Sequence, residues 1–298
     1  MAKMTLVEAV KAGRVLVSDG AWGTFLQKKG MQPGECPELW CVTHAPDVLD
    51  IAKSYIDAGA DMIESDSFGG TRCKLQHFGL ADRTVELNQA AASISRKAAG
   101  RDHWVIASVG PTGMMTVMGD VTEEDFLQFF KEQAVALESG GADAVCIETM
   151  SAIDEAVAAI RATRENTSCE AICTFTFERT VQGTYRTMMG VSPAQAAQAA
   201  VEAGAHVIGT NCGNGMERMV EIVREMREAA PTTPILVHAN AGLPRNVNGV
   251  DVFPETPADM AALVPALVAA GANIIGGCCG TTPAHIAAIK QAVKALGK

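Results

Sequence analysis

The chain has 298 residues, 48% of them hydrophobic and 19% charged, which suffices for one large α/β domain with a sizeable core and excludes a disordered protein. Its formal net charge of −10 speaks against nucleic-acid or membrane partners, which call for basic surfaces. Nine cysteines leave at least one outside any intrachain disulfide, and a first segment broken by Glu8 and Lys11 offers no signal-peptide core, so a reduced cytoplasm is the expected location.

Along the chain, a short strand is expected over Arg14 to Asp19, followed by a helix whose Val48, Ile51, Ala52, Tyr55 and Ile56 share one face. That helix runs into the first of four copies of a repeat, Tyr55-Ile-Asp-Ala-Gly-Ala-Asp-Met-Ile-Glu-Ser-Asp66. The others begin at Leu137, Val201 and Leu267; each reads as a helix end, a glycine C-cap at Gly59, Gly141, Gly204 or Gly271, and an apolar strand ending in polar or thiol residues. Further strands are expected over Trp104 to Gly110, Glu170 to Phe177 and Pro234 to Asn240, with apolar runs suited to burial on both faces of a parallel sheet. Thr122 with Asp125 forms a capping-box pattern, and Ser192-Pro193, Thr256-Pro257 and Thr282-Pro283 each supply an N-cap followed by proline. The longest apolar region, Met260 to Gly277, is broken by Pro265, Gly271 and Asn273 and reads as a buried helix and strand, not a membrane span.

Four strands in the repeats and four between them make eight, each followed by a helix, the count of a (β/α)8 TIM barrel forming a single domain over residues 1–298. An open doubly wound sheet is the rival fold. It predicts one glycine-rich crevice, whereas here polar and thiol residues recur at the ends of nearly every strand.

In a barrel those ends converge on one face, bringing together Asp19, Glu64 to Ser67, Gly110, Glu148, Thr176, Asn211, Cys212, His238 to Asn240, Cys278 and Cys279. Cys278 and Cys279 are adjacent, which disfavours a disulfide between them, and Cys212 at the end of the sixth strand supplies a third thiol. Three thiolates with an open fourth position are a catalytic zinc arrangement, so these cysteines are the expected metal ligands; the competing reading makes Cys212 a buried small hydrophobe. Phosphate binding by Gly276 to Thr282 is disfavoured, having no use for two thiols and no basic side chain beside it. The other six cysteines, Cys36, Cys41, Cys73, Cys146, Cys169 and Cys173, read as structural, and His238 as a satisfied core histidine.

The segments Asp19-Gly-Ala-Trp-Gly-Thr-Phe-Leu26, Glu64-Ser-Asp-Ser-Phe-Gly-Gly-Thr-Arg72, Val109-Gly-Pro-Thr-Gly113, Ile147-Glu-Thr149, Thr210-Asn-Cys212, Asn240-Ala-Gly242 and Gly276-Gly-Cys-Cys-Gly-Thr-Thr-Pro283 resemble the homocysteine S-methyltransferase family, from about Val15 onward. That family includes the homocysteine module of cobalamin-dependent methionine synthase and betaine–homocysteine methyltransferase. The resemblance implies Zn2+ held by Cys212, Cys278 and Cys279, with a thiol substrate at the open position. Asp19 and Glu148 would hold the substrate's amino group, and backbone near Gly20 to Gly23 with Ser65, Asp66 and Ser67 would surround its carboxylate. Asn240 matches a position that approaches the metal when substrate is absent.

Two segments depart from the family pattern. Ser65-Asp66-Ser67-Phe68 puts a carboxylate where an amide is usual, disfavouring a substrate carboxylate nearby unless Asp66 is protonated or paired with Arg72. Gly213-Asn214-Gly215-Met216 replaces Ser/Ala-Leu-Gly-Pro. Zinc coordination deprotonates a thiol whose ordinary pKa is about 8.5, so the expected activity is methyl transfer to or from homocysteine. The donor is methylcobalamin carried by a separate corrinoid protein, or a small sulfonium or betaine. Met114, Met115 and Met118 offer either an adaptable surface for such a partner or loop packing. A non-catalytic barrel that binds or senses a thiol amino acid is the alternative.

Overall fold

The computed structural model describes residues 3–247 and 250–297. Its strands, in chain order, are β1 (Leu16–Val17), β2 (Met62–Ile63), β3 (Trp104–Val109), β4 (Ala144–Met150), β5 (Glu170–Phe175), β6 (Glu178–Arg179), β7 (Tyr185–Arg186), β8 (Val207–Asn211), β9 (Ile235–Ala239), β10 (Arg245–Val247), β11 (Val250–Val252) and β12 (Ile274–Gly277). Eight of these form one parallel sheet in the order β1-β12-β9-β8-β5-β4-β3-β2, while β6–β7 and β10–β11 are antiparallel hairpins in the loops. The two ends of the sheet meet where Asp61 N–H donates to Val17 O at 2.7 Å and Val17 N–H donates to the Asp61 carboxylate at 2.8 Å. The expected (β/α)8 barrel is therefore present as a single, nearly closed domain.

The helices form where the caps and apolar stripes placed them. Ala45–Asp57 buries Val48, Ile51, Ala52 and Tyr55, and Thr122 and Asp125 exchange the two hydrogen bonds of a capping box ahead of Glu123–Ser139. All four repeat glycines, Gly59, Gly141, Gly204 and Gly271, have φ between 95° and 112°, the left-handed turn that ends each helix and aims the next strand into the barrel. Among the described residues, no helix is long and apolar enough to cross a membrane.

Two facts about the core position the site. The amino-terminal helix Leu6–Lys11 packs Leu6, Ala9 and Val10 into one cluster with Leu16, Met62, Trp104, Ile106, Cys146, Ile172, Val207, Leu236 and Ile274, closing the lower end of the barrel. The two-residue alternation of a strand then carries the next inward layer. Moving up two residues from that apolar layer gives Ser18, Glu64, Ser108, Glu148, Thr174, His238 and Gly276, and Asn211 stands two above Gly209. All are buried. The interior thus changes from hydrocarbon to carboxylate, hydroxyl and imidazole within one pleat.

Candidate metal centre and substrate cavity

The three cysteines expected as ligands come together. Cys212 follows β8, Cys278 and Cys279 follow β12, and their sulfur atoms all lie within 4.8 Å of one another, with Cys212 Sγ 3.9 Å from Cys279 Sγ. Sulfurs about 2.3 Å from a tetrahedral zinc ion stand about 3.8 Å apart, so the set fits that metal. The thiols of Cys278 and then Cys279 donate toward Cys212, pulling its pKa below the ordinary value, and the Asn240 side chain adds a further hydrogen bond to it. Asn240 is thus beside the centre, with Oδ1 unpartnered among the described residues.

Backbone geometry holds the sulfurs in place. Cys212 has φ 58°, and the other non-glycine residue with positive φ among those described is Thr149, at 61°. Each such conformation costs on the order of 1–3 kcal/mol and persists when its surroundings determine it. Cys212 N–H donates to His238 O at 2.9 Å, Cys278 N–H to Ala239 O at 2.7 Å, and Ala241 N–H to Cys279 O at 3.0 Å, so β9 carries the loops that present all three thiols. Glycine is required beside them. A Cβ on Gly276 would stand 2.8 Å from Asp19 O and 2.9 Å from His238 Cδ2, and Gly280, at φ 81°, would put one 2.2 Å from the Phe253 ring. Thr281 ties this loop to the β1 loop, its hydroxyl accepting from Ala21 N–H at 3.0 Å and donating to Cys278 O at 2.7 Å.

A cavity of about 560 Å³ opens over the thiols. Its lining includes Gly20, Gly23, Ser65, Asp66, Ser67, Glu148, Cys212, Cys278 and Cys279, so all expected site residues but Asp19 and Asn240 face one space. Asp19 lies beneath it, fully buried: Trp22 Nε1 and Glu64 N–H donate to Oδ2 at 2.8 and 2.9 Å, and Ser18 Oγ donates to Oδ1 at 3.1 Å. Glu148 accepts from Ser108 Oγ and, at 3.0 Å, from Asn211 Nδ2. Asn211 is fully engaged: its Nδ2 also donates to Thr149 Oγ1, and its Oδ1 accepts from Thr149 N–H and Thr174 Oγ1, each at 2.8 Å. One amide therefore fixes both Glu148 and the strained residue after it. Burial pushes the Asp19 carboxyl up to about 6 and that of Glu148 to about 7.

The structure differs from the sequence reading at His238 and removes one of its two alternatives at Asp66. His238 is not a satisfied core histidine: Nε2 is buried without a hydrogen-bond partner among the described residues, and Nδ1 lies 3.5 Å from Glu64 Oε1, which is also unpartnered. Burial drives this imidazole down to about 3, so it is neutral. Asp66 does not pair with Arg72, which reaches Glu132 at 2.6 Å and Asp82 at 3.4 Å instead. The Cys41 thiol sits over Asp66, 3.5 Å from its carbonyl, and burial followed by the charge of Glu38 raises the Asp66 carboxyl well above the usual range. A shift in this direction favours the protonated form, which would not repel an anionic ligand group as a carboxylate would. Cys36 and Cys41 are buried near Glu38 and Asp66 at the cavity's edge, whereas Cys146, Cys169 and Cys173 are packed in or beside strands. In the β3 loop, Met114 packs on the core while Met115 and Met118 are exposed.

The fold and site together define a (β/α)8 barrel with three converging thiols at its carboxyl-terminal mouth. The sequence profile of the homocysteine S-methyltransferase family matches residues 16–293, and the chain belongs to that family. It is 33% identical over 300 residues to methionine synthase of Mycobacterium tuberculosis (strain ATCC 25618 / H37Rv) and 34% identical over 298 residues to that of Mycobacterium leprae (strain TN). These alignments cover 95% of this chain but 25% and 24% of those proteins, so the chain spans about a quarter of their length. The metallated form of the homocysteine methyltransferase MmuM from Escherichia coli superposes with a TM-score of 0.78 at 24% identity, over 95% of this chain and 98% of that one, a likeness of fold.

Proposed function

We propose that the protein is a zinc-dependent methyltransferase acting on the thiol of homocysteine to give methionine. The observation that carries this reading is the joint presence, in one cavity, of three converging thiols and of buried carboxylates suited to an amino group. Cys212, Cys278 and Cys279 would hold the metal, which supplies stabilisation of a thiolate at neutral pH. Glu148, held by Ser108 and Asn211, faces the ammonium end, and Asp19, held by Trp22, lies beneath it. Each charge-assisted hydrogen bond there contributes about 1.5–3 kcal/mol. Backbone of the 20–23 loop, with Ser65 and Ser67, whose hydroxyls are 2.7 Å apart, surrounds the substrate carboxylate, and the raised pKa of Asp66 favours the form that tolerates it. Asn240 steadies Cys212 from outside the cavity.

The cavity is far larger than one amino acid needs, and the space beside its exposed lining residues Phe68 and Phe78 is left for the donor. The donor in this reading is a methylated corrinoid on a separate protein, with a small sulfonium or betaine as the alternative, and the reaction takes place in the cytoplasm. Zinc-loaded protein is assayed for methionine with homocysteine and, in parallel, methylcobalamin, S-methylmethionine and betaine. Methionine from at least one donor is expected. Stoichiometric zinc and homocysteine binding with no methionine from any donor would show a thiol-binding barrel instead.

A further inference from the structure

The acceptors on the cavity floor are unequally committed. Both oxygens of Asp19 already accept from protein donors, three in all, and both oxygens of Glu148 accept one each. Glu64 is different. Its Oε1 is buried with no hydrogen-bond partner among the described residues, as is Nε2 of His238, and both residues line the cavity. They approach across the barrel from β2 and β9, Oε1 to Nδ1 at 3.5 Å, and Glu64, Glu148 and His238 offer acceptor atoms within 4.8 Å of one another. Acceptors around one ammonium nitrogen at about 2.8 Å stand about 4.6 Å apart, a spacing this set admits.

Charge points the same way. Asp19, Glu64 and Glu148 are all buried, and Lys74, the one Lys or Arg among the described residues lining the cavity, makes no ion pair with any of them. Unpaired buried carboxylates are costly unless a cation meets them. A primary ammonium brings one positive charge and three donors.

On the reading of the cavity as a thiol amino acid site, we propose that Glu64 is the principal acceptor for the substrate's ammonium group and sets the preference for an amino acid over a plain thiol acid. Glu148 supplies a second acceptor. Asp19 is a positioning residue: its Oδ2 accepts Glu64 N–H and so orients the strand end that presents the Glu64 side chain. His238 flanks that carboxylate and leaves it no alternative cation, being neutral.

The test compares homocysteine with 4-mercaptobutyrate, which keeps the thiol and carboxylate but lacks the amine, by calorimetric titration of the zinc-loaded full chain. Wild type is expected to prefer homocysteine by about 100-fold or more, and Glu64→Gln to lose about 10- to 100-fold of that preference. The variant's zinc content and its affinity for 4-mercaptobutyrate should not change. Glu64→Asp, which keeps the charge but withdraws it, should lose about 10-fold and serves if Glu64→Gln does not fold. An undiminished preference in both variants would overturn the assignment, as would a second divalent ion bound stoichiometrically and lost with Glu64. Zinc-loaded wild type that binds neither thiol would overturn the functional reading itself.

Discussion

The lower and upper layers of the barrel interior are built by the same strands with the same two-residue alternation, yet their chemistry is opposite. Leu16, Met62, Ile106, Cys146, Ile172 and Leu236 face a closed apolar floor plugged by Leu6 and Val10, whereas Ser18, Glu64, Ser108, Glu148, Thr174 and His238, two residues on, form a polar layer beneath the thiols. The lower layer stabilises the fold by area removed from water, about 25 cal/mol per Å². Among the described residues the upper layer works against stability: it buries carboxylates without Lys or Arg partners, leaves Glu64 Oε1 and His238 Nε2 unpartnered, and lies against the strained residues Thr149 and Cys212. Such concentrated cost marks the place where a ligand is to be received.

Substitutions in the two layers should therefore separate stability from chemistry. The largest effect belongs to the thiols above the polar layer. Cys278→Ala is expected to lose the metal and at least about 10³-fold of methyl transfer, by metal analysis and activity assay, with little change in Tm of the metal-free protein. Asn211→Ala should affect both properties, because it frees Glu148 and Thr149 together. Activity is expected to fall about 10- to 100-fold and stability by about 2–4 kcal/mol in urea titration. Ile172→Ala, in the floor, should cost about 2–5 kcal/mol and leave homocysteine affinity unchanged. An equal loss of affinity would show that the layers are not separable.

The smallest effect is a pH dependence. Burial and then the charges of Glu148 and Asp19 raise the folded-state pKa of Glu64 well above its ordinary value. A carboxyl so shifted contributes stability that is fully present below its unfolded pKa, about 4.3, and lost as pH rises through the folded value. Glu64→Gln has no such loss. Its Tm relative to metal-free wild type should therefore increase by a few degrees between pH 5 and pH 8; a constant difference would show that Glu64 ionises freely in the folded protein.

Much of this arrangement was legible in the sequence, for identifiable reasons. The glycines at Gly59, Gly141, Gly204 and Gly271 repeat because each helix needs a left-handed exit, and counting these four repeats with the four strands between them yields eight and hence the face on which Cys212 meets Cys278 and Cys279. The role of His238 was not legible. Its two-residue phase follows from β9 lying in register between Asn211 and Gly276, and a five-residue strand buried throughout carries no alternation to reveal which residues turn inward. Glu64 was placed at its strand end, but its Oε1, unpartnered among the described residues, meets His238 by an approach from the far side of the barrel. Protonation of Asp66 and its pairing with Arg72 were equally open from the sequence. The short helix Arg72–Gln76 instead sends the guanidinium to Glu132 on Glu123–Ser139, and Asp66 meets Cys41 from an earlier helix.

The central claim is that the substrate thiol joins the three cysteines on one metal ion above the polar layer. X-ray absorption at the zinc edge measures this directly on the zinc-loaded protein, without and then with homocysteine. Three sulfur ligands at about 2.3 Å, rising to four when homocysteine is added, is the expected result. A sulfur count that stays unchanged on addition, with homocysteine bound, would contradict it.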